Sequence, residues 1–260
     1  MDLNSDLDDI EAVFLDLDGT IYLGGSLIDG AQEFLNRLKL RRIKRYFLSN
    51  NSSRSVEEYV EKLRGLGVDA IPEEVLLSTH DLIRWLASKE IQNVYLVGTK
   101  GMASMLEAAG ISCNGDYPEA VVLGYDTEIT YDKLTTASEL LHSGIPLIAS
   151  HPDIVCPSPK GGLPDVGAYL DLFESTTGVK PLHVCGKPNA TMITGVLEDC
   201  RLRASKCAMI GDRIYTDMAM AEASGVHGIL VLSGEATSED VDSSKIKPGL
   251  VVSSVAALCI

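Results

Sequence analysis

Asp16 and Asp18, two acids one residue apart, are the first candidates for chemistry. They stand in Asp16-Leu17-Asp18-Gly19-Thr20, directly after the apolar run 12–15 (AVFL). If that run is a strand, alternation turns both carboxylates to one side, where two like charges need a cation. An ordinary Asp-Gly turn is the structural alternative. A second pair, Asp212 and Asp217, falls in 211–217 (GDRIYTD), after the apolar run 207–211 (CAMIG). Asp212 again ends a strand-like run. Asp217 comes at a helix start, where capping alone would explain an acid. Ser49, Asn50 and Asn51 follow 45–49 (RYFLS) and precede a helical pattern. Small hydroxyl and amide groups beside a helix start suit phosphate oxygens, although Ser and Asn are also common loop residues. Lys187, in Gly186-Lys187-Pro188, lies between an apolar run and a helical pattern that Pro188 can open. Elsewhere, a lone lysine is usually a solvated one. Hard carboxylate oxygens favour magnesium. No His-Glu-x-x-His motif, Gly-x-Ser-x-Gly elbow or Walker A loop accompanies these residues.

The elements that must position them come from short apolar runs. These include 75–78, 94–98, 120–124, 146–150, 228–232 and 249–252. Several lack alternation, which suits strands covered on both faces of a parallel sheet. Helical patterns lie between them at 31–40, 56–66, 79–89, 100–109, 131–142, 189–199 and 216–224. Ser55 and Glu58 have capping-box spacing, and Gly67 can end that helix. Strand and helix alternate, so the fold class is α/β. Ligands of open parallel sheets collect at the strands' carboxyl ends. The acids, the hydroxyl–amide pair and the lysine all fall at such ends. The segment 151–165 (HPDIVCPSPKGGLPD), rich in proline, reads as a long loop. Its His151, Asp153 and Lys160 could touch a leaving group or simply be solvated. Trp85 falls on an apolar helical face and is expected to be packed.

The 260 residues suffice for one large domain or two modest ones. A net charge of -15 argues against a nucleic-acid polymer or anionic membrane as partner. It also means that any phosphate must be neutralised locally. The six cysteines form no Cys-x-x-Cys pair. The acidic start has no apolar signal core, and no run approaches the roughly 20 apolar residues of a membrane span. A reducing cytoplasm is the expected compartment, with thiols packed as small hydrophobes.

As an ordered set, DLDGT (16–20), SN (49–50), GKP (186–188) and GDRIYTD (211–217) resemble the haloacid-dehalogenase-like hydrolase superfamily. The wording of DLDGTIYLGG, SNNSSRS, GKPNATM and GDRIYTDM is similar to its NagD-like, subfamily IIA branch of phosphatases. The resemblance spans essentially the whole chain. It implies a Rossmann-like parallel-sheet core at 1–81 and 181–260, with an α/β cap inserted at 82–180. It implies that Asp16 is the nucleophile and forms an aspartyl-phosphate. Asp18 would be the acid and base, and Ser49, Asn50 and Asn51 would bind the phosphoryl oxygens. Lys187 would neutralise them. Mg2+ would be held by Asp16, the Asp18 carbonyl and Asp212, with Asp217 behind. The expected substrate is a small phosphorylated metabolite. A phosphotransferase or mutase on the same core, or a non-catalytic phosphate-binding protein, are the alternatives. Relatives often pair through their caps, so the resemblance allows a homodimer through the cap; no residue of the sequence itself specifies the oligomeric state. His151 stands where relatives commonly carry Asn, so that residue's role is not carried over.

Overall fold

The structure, a computed structural model, describes residues 7, 9–113, 115–158 and 160–258. Cys259 lies outside them. None of the described cysteines forms a disulfide; Cys185 and Cys207 are buried, whereas Cys200 is exposed. Among the described residues, no helix is long and apolar enough to cross a membrane.

Contacts divide the chain into two compact units. The first holds the chain up to Ser49, then Val60–Leu76 and everything from Lys187 onward; the second holds Asn50–Tyr59 and Leu77–Gly186. The exchanges at 76/77 and 186/187 stand beside the 81/82 and 180/181 expected above. The reason lies in the helix Ser78–Ser88, whose Leu82 and Leu86 are buried among second-unit residues.

The first unit is built on a six-stranded sheet. Its order is Leu250–Val252, His227–Val231, Cys207–Gly211, Ala12–Asp16, Lys44–Ser49 and Val75–Leu77. Ala12–Asp16 and Cys207–Gly211 are buried at every position. Two covered faces explain why these runs carry no polar alternation. Parallel register sets Leu15 against Ile210 and Asp16 against Leu48. Asp16, Ser49 and Gly211 therefore end their strands at one edge of the sheet. Phe14 stacks on Tyr46 at 5.3 Å inside a core that includes Met209, Met218 and Leu230.

The second unit has a five-stranded sheet. Its order is His183–Val184, Leu147–Ala149, Ala120–Leu123, Asn93–Val97 and Ser112–Cys113. Its strands are parallel. Alternate side chains divide between its faces. Leu96, Val122 and Ile148 pack with Leu82 and Leu106 on one face; Val97, Val121 and Leu147 pack with Leu141 and Phe173 on the other. Trp85 packs against the first of these clusters and stacks on His183 at 4.7 Å.

Three elements depart from the sequence reading. The helix Val166–Thr177 was not anticipated; Asp165 caps it by accepting from the Val166 N–H. The expected loop 151–165 contains a short antiparallel pair, Val155–Cys156 with Leu163–Pro164, outside the main sheet. The helix expected at 216–224 begins with a π-helical turn, Ile214–Met218, and is α-helical only from Ala219 to Ser224. In addition, Pro188 does not open its helix: the Lys187–Pro188 bond is cis, and the helix is Thr191–Cys200.

Candidate active site

The carboxyl ends of Ala12–Asp16 and Cys207–Gly211 lie side by side, so the residues that end or follow them meet. Oxygens of Asp16, Asp212 and Asp217 lie within 4.8 Å of one another, all on buried residues. The ammonium of Lys187 enters this group, donating to Asp16 Oδ1 and, at 2.8 Å, to Asp217 Oδ1. Lys187 is itself 5% exposed, which removes it from the class of solvated lysines. The unexpected π-helical turn places Asp217. Its backbone N–H bonds to the Arg213 carbonyl, and its Oδ2 accepts from the Arg213 N–H at 3.1 Å. Single π turns recur at functional sites.

Three carboxylates this close and this dry cannot all stay ionised without cations. Burial is the main cause that pushes Asp212 up to about 7, helped by the charges of Asp16 and Asp217. Burial also pushes Asp217 up to about 6; Lys187 opposes it without cancelling it. For Lys187, burial favours loss of the proton, but Asp16 and Asp217 together outweigh that and hold its pKa above the ordinary lysine value.

Asp212 carries the clearest sign of a missing partner. Its Oδ2 accepts from the Glu235 N–H at 2.7 Å, while its Oδ1 is buried without a hydrogen-bond partner. Such an orphan oxygen is costly in a finished site. Two glycines crowd the same carboxylate. A Cβ at Gly19, where φ is +83°, or at Gly234 would collide with it. The donors are hard anionic oxygens with one acceptor position open. That set fits a small hard cation such as magnesium.

Asp18 faces a different setting. The residue is solvent-exposed, yet its carboxyl group lies low enough that desolvation raises its pKa. Lys62 opposes the rise, and Asp16 adds to it. Lys62, which the sequence reading passed over, donates to Tyr22 Oη at 2.7 Å. Buried hydroxyls of Thr20 and Thr216, inside the DLDGT and GDRIYTD motifs, also have no hydrogen-bond partner and were not singled out from sequence. The Gly234-Glu235 stretch was missed as well. Its signal was its place just beyond the strand His227–Val231.

Ser49, half-buried, ends its strand in the first unit. Asn50 and Asn51 follow it in the chain and belong to the second. Asn50 Nδ2 donates to both oxygens of Asp153 at 3.2 Å, and Asn51 Oδ1 accepts from Ser53 N and Oγ at 2.9 and 2.6 Å. His151 does not face solvent. It is fully buried, with Nδ1 at 2.9 Å from Ser150 Oγ and Nε2 at 2.9 Å from Asp165 Oδ1. Ser150 Oγ in turn lies 3.0 Å from Ser52 Oγ, which accepts from the Tyr125 N–H.

A model described as haloacid dehalogenase-like hydrolase matches residues 13–112, and one described as HAD-hydrolase-like matches 184–258. An acid sugar phosphatase of Staphylococcus epidermidis is 34% identical over 92% of each chain. The chain belongs to the haloacid dehalogenase-like hydrolase family. Within it, this is a NagD-like hydrolase of subfamily IIA. The solved 4-nitrophenylphosphatase of Thermotoga maritima is 38% identical, covers 97% of each chain and superposes with a TM-score of 0.93. The glycerol phosphate phosphatase of Mycobacterium tuberculosis, solved with magnesium, is 28% identical. It has a TM-score of 0.91 over 97% of this chain and 77% of its own.

Proposed function

We propose that this NagD-like hydrolase is a phosphatase that cleaves small-molecule phosphate monoesters through an aspartyl-phosphate on Asp16. The observation that carries the reading is the meeting of Asp16, Asp212 and Asp217 with the Lys187 ammonium at adjoining strand ends. Relatives named as acid sugar, nitrophenyl and glycerol phosphate phosphatases support the substrate class.

In this reading an Asp16 oxygen attacks phosphorus, and the bond from phosphorus to the ester oxygen breaks. Asp18, with its raised pKa, gives its proton to the departing alkoxide. The ionised Asp18 then takes a proton from water, whose oxygen attacks the phosphorus held on Asp16. The bond between phosphorus and Asp16 breaks, and inorganic phosphate leaves. One difficult displacement becomes two easier ones. Lys187 offsets charge on the phosphoryl oxygens, and Asp217 holds that ammonium in place. Ser49, with Asn50 and Asn51 next in the chain, would bind the same oxygens. Mg2+ is the cation proposed, held by Asp16, Asp212 and the Asp18 carbonyl. When bound, it lets an anionic nucleophile approach an anionic phosphate.

The test is phosphate release from 4-nitrophenyl phosphate, with and without magnesium, for wild type and Asp16→Asn. Magnesium-dependent release lost in Asp16→Asn is expected. Release that survives Asp16→Asn would exclude the covalent route. Product that appears only with an added alcohol acceptor would mean a phosphotransferase, and no turnover of any ester would mean a binding protein.

A further inference from the structure

The chain carries 37 Asp and Glu against 22 Lys and Arg, but its cations are unevenly spread. No acid stands between Glu33 and Glu57, while Lys39, Arg41, Arg42, Lys44 and Arg45 fall within seven residues. This run joins the end of the helix Ala31–Leu40 to the start of the strand Lys44–Ser49. There the first unit has a cavity of about 300 Å³. Lys39, Arg42, Lys44 and Arg45 line it, with Asp69 and Glu74 as its acids and Ile43 and Ile71 as its apolar wall.

The charges in this cavity do not cancel. Arg45 is buried and fork-bonded to Glu74, with Nε to Oε1 at 2.8 Å and Nη2 to Oε2 at 3.2 Å; it also donates to the Asp69 carbonyl. Lys39 pairs with Asp69 at 2.7 Å. Four cations less two acids leaves two charges, and Arg42 and Lys44, both exposed, carry them. The helix dipole accounts for Arg37 and Lys39 in the last turn. It does not account for Lys44, which already belongs to the strand. Arg42, like Glu90 and Arg201, ends a helix with a positive φ. Its φ is +56°, a helix-ending conformation that glycine ordinarily supplies. The chain sets an arginine where the backbone would favour glycine, at the lip of a cavity that already holds excess positive charge.

We propose that this cavity binds a small molecule bearing two or more closely spaced negative charges, of the inorganic di- or triphosphate class. A guanidinium fork beside an ammonium suits adjacent phosphoryl groups. Lys44 pairs with Ala12 in the register that pairs Leu48 with Asp16. The cavity and Asp16 thus lie at opposite ends of neighbouring strands, roughly 13 Å apart at ~3.3 Å per residue. A ligand at one end leaves the other accessible. The proposal does not depend on the reaction assigned to Asp16.

The experiment is calorimetric titration of the full chain with tripolyphosphate, in chelator to prevent turnover. Wild type, Arg42→Gln/Lys44→Gln, Lys187→Met and Arg42→Gly are compared. One stoichiometric site is expected in wild type. It should be retained in Lys187→Met and weakened at least tenfold in Arg42→Gln/Lys44→Gln, whose kcat/KM on 4-nitrophenyl phosphate stays at the wild-type value. Arg42→Gly suits the local backbone, so it removes charge without endangering the fold and should weaken binding as well. Affinity unchanged in both charge variants, or lost in Lys187→Met alone while that variant keeps the wild-type circular-dichroism spectrum, would overturn the proposal. So would binding without defined stoichiometry, the mark of a diffuse charged face.

Discussion

Lys187 Nζ lies 2.8 Å from Asp217 Oδ1, and both residues are buried. Asp217 therefore holds the lysine from one side and Asp16 from the other. Replacing Lys187 with Met would leave the Asp16 and Asp217 carboxylates facing each other in a dry site. Loss of one partner from a buried pair costs about 3–5 kcal/mol, and loss of a charge aimed at a phosphoryl group costs about 100-fold or more in kcat. Urea unfolding and steady-state kinetics on 4-nitrophenyl phosphate should report both losses.

The raised values of Asp212, about 7, and Asp217, about 6, predict an unusual pH profile for metal-free protein. In the unfolded chain both carboxyls titrate near 3.8. The folded state binds their protons more tightly, so their contribution to stability is fully present below that value. It is lost as pH rises through the folded values. In chelator, Tm should fall from about pH 4 to about pH 7. Asp212→Asn should flatten the fall, and added magnesium should reverse it at the high end, because binding needs the deprotonated acids. A wild-type Tm that rises over this range in chelator would contradict the assignment.

Asp18→Asn should separate leaving groups. An alkyl phosphate needs the proton and should lose about 100-fold or more in kcat, within the usual range of general acid catalysis. An aryl phosphate with a good leaving group should lose less. Rates on glycerol phosphate and 4-nitrophenyl phosphate give the comparison; equal losses would remove Asp18 from the role of acid.

His151→Ala should destabilise the second unit. It removes one hydrogen-bond partner each from Ser150 and Asp165, both buried, and leaves Ser150 with Ser52 and Asp165 with the Val166 N–H. Each lost hydrogen bond costs about 0.5–1.5 kcal/mol. Asn, which is shorter, should restore only part of this in a urea titration.

Gly234→Ala should act on the cation more than on the fold, because the added methyl group meets the Asp212 carboxylate. Magnesium affinity, followed by the metal's effect on Tm, should fall at least tenfold, while stability in chelator should fall only by the cost of an overpacked site, about 1–3 kcal/mol. The opposite pattern would make Gly234 a packing residue.

Much of this was readable from residue order. Asp16, Asp212 and Lys187 follow apolar runs directly, and a parallel sheet brings such ends together. The sheet class followed from runs such as Cys207–Gly211, which are apolar throughout because both faces are covered. What remained hidden depends on long-range partners. For Asp217 the residues alone left capping open beside function, and only the resemblance placed it behind the metal; no spacing rule signals the π turn that holds it. His151 looked like a loop residue because its partners, Ser150 and Asp165, are joined through a fold that the prolines around it obscure. Helix Val166–Thr177 was missed for the same reason: its cap, Asp165, ends that proline-rich segment.

The short segment Asn50–Tyr59 has a practical consequence. It belongs with Leu77–Gly186, so the backbone passes between the units four times, at 49/50, 59/60, 76/77 and 186/187. Excising 77–186 to obtain a minimal hydrolase would leave the tether 50–59 behind. Ser52 would lose Ser150 and Tyr125, and Ser53 would lose the Thr99 hydroxyl. Gene shuffling between relatives faces the same restriction, because a donor insert must bring its matching decapeptide with it.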